Sequence, residues 1–155
     1  MAQFNVNYFD KIDTEQKAYI LGFLQSDGTF SVKGRVKGYY RYKLAIQEND
    51  EHIIESIKKE MNHTGKTITQ KRKLKHHQNI KEISLNGIKF TEQLKQIFGG
   101  YLKEDRINFP VLPPELVRHY LRGVVDADGS IGDYQGVMLR IEGKKHFLQS
   151  IKGIT

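Results

Sequence analysis

The chain has 155 residues, 38% of them apolar, enough for one medium domain or two small ones with a real core. It has no cysteine, no run approaching a membrane span and no basic-then-apolar leader in MAQFNVNYFD, so disulfides, thiolate metal sites, cysteine nucleophiles and secretion are not expected. Its net charge of +7 points to a polyanionic partner, nucleic acid first among them. The setting is read as intracellular, cytoplasm or organelle matrix. The basic residues fall in two groups: Lys33, Arg35, Lys37, Arg41 and Lys43, then Lys66, Lys71, Arg72, Lys73 and Lys75.

Along the chain, Asp13 or Thr14 caps a helix over about 15–27, with Gln16 placed for a capping box. Residues 29–35 and 39–47 alternate as a hairpin turning near Lys37–Gly38. Asn49 or Asp50 caps a helix to about Met61, with Ile53, Ile54, Ile57 and Met61 on one face. Residues 66–74 and 80–86 read as two strands. Gly87 to Phe98 reads as a helix with Ile88, Leu94 and Ile97 apolar. A connector from Gly99 to Pro113 follows, and Pro114 fits the first turn of a helix to about 127. A hairpin over 130–134 and 136–142 and a helix from about 144 end the chain.

An internal repeat runs through these elements. YILGFLQSDGTF at 19–30 is matched by YLRGVVDADGSI at 120–131; LAI at 44–46 by LRI at 139–141; HIIESIK at 52–58 by HFLQSIK at 146–152. The order is kept, and the second hairpin is shorter. The expected division is a first αββαββα repeat over 1–100, a linker over 101–113, and the αββα start of a second repeat over 114–155. The second repeat has no counterpart to the later strands and helix of the first, so it is read as incomplete.

Each repeat's first helix ends in Asp-Gly: Asp27-Gly28 and Asp128-Gly129. Glycine there fits a left-handed helix stop. The carboxylate is harder to explain, because a helix C-terminus disfavours an anion by about 0.3–1 kcal/mol. Two such choices at equivalent places call for a cation, and a divalent metal suits carboxylates. The alternative is a local turn hydrogen bond at each aspartate. Gly22 and Gly123 lie inside these helices, where glycine costs about 1 kcal/mol relative to alanine. The flanking residues, Ile20, Leu21, Phe23 and Leu24, and Leu121, Val124 and Val125, are apolar nearly all round. Close packing of the two helices through Gly22 and Gly123 is therefore expected, bringing Asp27 and Asp128 to one place.

These segments resemble the LAGLIDADG signature, and the chain resembles a two-motif LAGLIDADG homing endonuclease. LRGVVDADG at 121–129 departs from the signature at its second, fourth and fifth positions. ILGFLQSDG at 20–28 departs more, with Gln25 where the signature has Asp. The segment NFPVLPPELVRHYLRGVVDADGS resembles the family's inter-domain passage. The resemblance implies an α+β fold with a saddle-shaped antiparallel sheet over DNA. It also implies metal-dependent cleavage of both strands of a long asymmetric site, as in intron or intein homing. Asp27 and Asp128 would be the catalytic metal ligands, with Mg²⁺ or another divalent cation such as Mn²⁺, and Lys103 a nearby base.

Strand parity then selects DNA-facing residues. With Phe30 and Val32 in the core, Ser31, Lys33 and Arg35 face outward; with Leu44 and Ile46 in the core, Arg41 and Lys43 do. With Ile68 taken as core, Thr67, Thr69, Lys71 and Lys73 face out, and Arg140 matches in the second half. His63, His76 and His77 lack a ligand spacing and are read as solvated or phosphate-contacting. Double-stranded DNA is the expected partner. A whole protein is expected to be a monomer, with a dimer or fragment complementation open to an incomplete one. A non-cleaving DNA- or RNA-binding protein of the same fold, such as a maturase or transcription regulator, is the alternative.

Overall fold

A computed structural model describes residues 2–32, 40–133, 137–141 and 145–152. The element order is α1 (Glu15–Asp27), β1 (Thr29–Val32), β2 (Tyr40–Gln47), α2 (Glu51–Glu60), β3 (Ile68–Gln70), β4 (Ile80–Leu85), α3 (Ile88–Phe98), α4 (Pro114–Asp128), β5 (Gly129–Asp133), β6 (Val137–Ile141) and α5 (Lys145–Lys152). The α+β class and the αββαββα order of the first repeat are as the sequence implies. The chain forms two compact units, one of Met1–Asp10 with Gly28–Glu92, the other of Lys11–Asp27 with Gln93–Thr155.

The first unit is built on an antiparallel sheet in the order β1-β2-β4-β3. Alternation decides which side chains it buries. Tyr42, Leu44 and Ile46 of β2 pair with Leu85, Ile83 and Lys81 of β4, and the apolar members of this face are buried. Ile54, Ile57 and Met61, one stripe of α2, are buried with them. The α2 cap differs from expectation. A single 3-10 turn, Glu48–Asp50, leads into the helix, and Asp50 makes no side-chain cap hydrogen bond among the described residues. In α3 the buried stripe is Phe90, Leu94 and Phe98, while Ile88 is 62% exposed. The i, i+4, i+8 series with its two aromatics outweighs the isoleucines that sequence reading singles out.

The N-terminal segment is part of this unit, which no periodicity announces. Asn5 N–H donates to the Met61 carbonyl at 2.8 Å and Thr64 N–H to the Gln3 carbonyl at 2.9 Å. Phe4 meets Phe90 edge-on at 5.0 Å. His63 is not solvated as expected. It is buried, its Nε2 bonds the Ser84 carbonyl at 2.9 Å, and its Nδ1 accepts Gly65 N–H at 3.2 Å. Both ring nitrogens are spent on backbone, so it links α2's exit to β4. His76 and His77 are exposed in the loop between β3 and β4.

The second unit is centred on α1 and α4, with the β5–β6 hairpin pairing Gly129 with Ile141 through Asp133 with Val137. Thr14 caps α1, accepting Lys17 N–H at 3.2 Å. Asp13 instead takes the Lys17 ammonium at 3.0 Å, and that hydrogen bond holds its carboxyl below the usual range. The hydroxyl of Thr14 thus takes the role that the capping box gave to Asp13 and Gln16. α1 is buried from Ile20 to Ser26. α4 is one-sided: Leu116, His119, Tyr120, Gly123 and Val124 are buried, whereas Glu115, Arg122 and Asp126 are exposed. Phe109 extends this core between Tyr120, at 5.1 Å, and Phe147 of α5, at 6.3 Å.

Candidate active site

The two motif helices touch through their backbones. A Cβ on Gly22 would lie 2.1 Å from the Tyr120 carbonyl oxygen, and one on Gly123 would lie 2.0 Å from that of Tyr19. Neither position can hold a side chain at this separation, which explains two interior glycines in helices that otherwise disfavour them. The contact is reciprocal, since Tyr19 and Tyr120 are themselves equivalent in the repeat. A second reciprocal pair surrounds it. Tyr120 Oη donates to Gln25 Oε1 at 2.6 Å, and Tyr19 Oη donates to Asp126 Oδ2 at 2.8 Å. The helix pair therefore has approximate two-fold symmetry.

Near the start of the pair, Glu15 meets His119 at 3.3 Å, before the crossing glycine on both helices. With a rise of about 1.5 Å per residue, an antiparallel pair would put these residues far apart. The helices run the same way, and each ends on its motif aspartate, Asp27 or Asp128. Neither last turn contains a basic residue. Asp27 is half-buried and Asp128 exposed. Gly28 is not a left-handed stop: its φ is not positive, and the chain passes directly into β1. Its lack of a side chain serves another need, because a Cβ there would overlap the Tyr42 hydroxyl.

Gln25 departs from the signature for a physical reason. It is 4% exposed, and its Nε2 donates to the Asn108 carbonyl at 2.8 Å while its Oε1 accepts from Tyr120. A carboxylate could not donate to Asn108 and would carry a charge into a buried place. Asp126, its counterpart, is exposed. Tyr120→Phe should therefore destabilise the protein by about 1–3 kcal/mol, the cost of leaving a buried acceptor unsatisfied. Tyr19→Phe, at the exposed pair, should cost no more than about 1 kcal/mol; urea unfolding compares the two. Burial also holds the Tyr120 hydroxyl well above its ordinary titration range. A raised folded value means stability is intact below the unfolded value of about 10 and is lost as pH rises above it, by about 1.4 kcal/mol per pH unit. Tyr120→Phe should make that alkaline loss shallower. Tyr8, raised by burial and by Glu60, contributes to the same loss.

Lys103 lies in a 3-10 turn, Lys103–Asp105, and is exposed. The residue that sequence reading misses is Arg106. It is 6% exposed, donates from Nη1 to the Gln25 carbonyl at 3.1 Å, and lies over the Phe98 ring at 5.5 Å. It thus places a buried positive charge against the last turn of α1, where carbonyls are left without helical partners. A lone arginine in an irregular connector gives no pattern to read.

On the first unit's sheet, register separates the basic residues cleanly. Ser31 pairs with Arg41, and Lys43 with Thr29 and Ser84, all on the face away from the buried row. Arg41 Nε is buried with no hydrogen-bond partner among the described residues. β3 reverses the expected parity. Ile68, opposite Glu82, is 55% exposed on the open face, and so is the Gln70 position. Thr69 instead accepts from Lys81 Nζ at 2.9 Å, and Thr67 meets Glu55 and Lys58 of α2 at 3.0 and 3.2 Å, so both threonines point to the helix side. The strand is a three-residue edge strand, and no buried position anchors its phase. Lys71 and Lys73 are exposed just beyond it. Lys33 and Arg35 lie outside the described residues. Arg140 pairs with Ser130 on β6, and its side chain is outside them too.

A solved lysine-to-alanine variant of I-SmaMI matches with a TM-score of 0.51 and 13% identity, over 88% of this chain and 71% of that one. The I-LtrWI LAGLIDADG homing endonuclease bound to target DNA matches with a TM-score of 0.45 and 15% identity, over 87% and 65%. This chain and I-SmaMI share one fold. The meganuclease I-SmaMI bound to uncleaveable DNA matches with a TM-score of 0.42 and 13% identity, over 74% and 58%. This chain thus spans between 58% and 71% of the length of these structures. No family model and no curated protein matches the sequence. Among the described residues, no helix is long and apolar enough to cross a membrane.

Proposed function

We propose that this protein is a site-specific, metal-dependent double-stranded DNA endonuclease of the homing type. The reading is carried by one observation: two equivalent helices cross through paired glycines, run the same way, and each ends on an aspartate with no basic residue in its last turn. The fold and the net charge of +7 support it. The repeat division, 1–100 and 114–155 joined by 101–113, belongs to the same proposal.

The donor set suits Mg²⁺ or Mn²⁺. Among the described residues no cluster of three or more His, Cys, Asp or Glu exists, so a site dominated by protein ligands is not at hand. Magnesium commonly binds through one or two carboxylates and completes its shell with water and phosphate oxygens. Asp27 and Asp128 would hold the ion, and affinity should be weak until DNA supplies the remaining oxygens. When bound, the ion would activate water and neutralise charge developing on the phosphate and the leaving oxygen. Each aspartate is assigned to one strand. Arg106 holds the last turn of α1 and so fixes where Asp27 sits. Lys103, exposed and able to swing, is proposed to stabilise charge beside the phosphate. Ser31, Arg41 and Lys43 are proposed as DNA contacts, with Lys33, Arg35, Lys71, Lys73 and Arg140 as further basic contacts. Gln70 replaces Thr67 and Thr69, whose hydroxyls are engaged by α2 and β4.

Incubation with a random duplex library and Mg²⁺, followed by sequencing of newly formed ends, tests the proposal. Recurrent double-strand ends at one sequence, absent when EDTA is added, are expected. Recurrent capture of one sequence without new ends would select a non-cleaving binder instead.

A further inference from the structure

We propose that Glu82 sets sequence specificity, by holding Lys43 and Gln70 as a fixed pair for base edges and by keeping Lys43 off the phosphates. This rests on the DNA-binding reading above and assigns a role that reading does not require. Glu82 is the central residue of its row: Ala45 on β2, Glu82 on β4, Ile68 on β3, all on the open face of the sheet. Despite that face it is 7% exposed. Its two oxygens reach opposite diagonals, Oε1 to Lys43 Nζ at 3.2 Å and Oε2 to Gln70 Nε2 at 2.9 Å. The neighbouring Ala45 is too small to crowd either arm.

A carboxylate is a poor choice on a surface meant only to grip phosphates, because it repels them. Burying a carboxylate costs desolvation that its ion pair at best offsets, so stability alone does not account for it. Both facts make sense if the group addresses bases. Adjacent strands lie about 4.8 Å apart, so the three side chains span about 10 Å of sheet, within a major groove of about 12 Å. Glu82 also fixes donor and acceptor directions. With one amide N–H committed, Gln70 offers its other N–H and its carbonyl oxygen, the complement of an adenine edge. Lys43 keeps two N–H groups, which suit guanine O6 and N7. The structure therefore assigns to this part of the sheet the reading of a guanine and an adenine on nearby base pairs.

Selection from a random duplex library, with wild type and Glu82→Gln in parallel, tests this. The variant should keep the enriched motif except at one or two nearby positions, where purine preference should fall by roughly ten-fold, the low-to-middle range for a good base contact. Its affinity for unrelated duplex should rise. Its salt dependence should steepen by about one unit of slope as Lys43 turns to a phosphate. An unchanged preference profile, or a uniform loss across all positions, would overturn the proposal. Lys43→Met keeps it testable should Glu82→Gln fold poorly: it should flatten the same positions without lowering the salt slope. A lowered slope with an intact motif would overturn it. Failure of wild type to enrich any sequence would instead remove the DNA-binding reading itself, and this proposal with it.

Discussion

Gly22→Ala is expected to destabilise the protein by at least about 2 kcal/mol, although the same change in an exposed helix normally adds about 1 kcal/mol. The reversal of sign follows from geometry. The added methyl would lie 2.1 Å from a backbone carbonyl oxygen and 3.1 Å from the Val124 nitrogen. Flexible side chains can give way; two packed helix backbones must separate. Overpacking a core usually costs about 1–3 kcal/mol, and backbone obstruction belongs at the upper end. For a chain of this size that is a fall in Tm of about 4–8 °C. Gly123→Ala should cost a similar amount, since it meets the Tyr19 carbonyl at 2.0 Å. The double variant should cost less than the sum, because helices moved apart by the first methyl accommodate the second. Strict additivity in thermal or urea unfolding would mean the two glycines do not share one contact.

Asp27→Asn and Asp128→Asn should each lower cleavage by roughly a thousand-fold or more. Carboxylate-held metal supplies several kcal/mol of transition-state stabilisation, and each 1.4 kcal/mol is about ten-fold in rate. Binding should change far less, and in the favourable direction, because a negative charge facing phosphates is removed. The asparagines keep shape and volume, and a Tm measured on the same preparation separates lost chemistry from unfolding. A gel-shift titration beside the cleavage assay reads both quantities on one preparation. Equal loss of binding and cutting would count against the assigned role.

Much of the helix pair is legible in the amino-acid sequence, and the reason is energetic. Interior glycines and C-terminal carboxylates are each unfavourable locally, so their recurrence at equivalent places signals a tertiary cause. Gly22 and Gly123 find it in each other's helix. The sheet is legible where one face is buried, as in β2, where Tyr42, Leu44 and Ile46 alternate with exposed Ala45 and Gln47. Parity fails in β3 because a short edge strand with no buried position has no phase to read, and composition alone sends Ile68 inward. The N-terminal segment, His63 and Arg106 are illegible for a related reason. Each works through hydrogen bonds to backbone carbonyls or N–H groups outside its own element, and such partners leave no trace in periodicity. Gln25 looks like a degraded motif position, yet its amide satisfies Tyr120 and Asn108 together, which the signature's aspartate could not.

Mn²⁺ binding to the protein–DNA complex, followed by electron paramagnetic resonance, tests most directly whether the two helix ends serve one cation. Wild type should bind Mn²⁺ more tightly with duplex than without, and Asp27→Asn and Asp128→Asn should each weaken that binding by about ten-fold or more. Undiminished Mn²⁺ affinity in either variant would contradict a shared site.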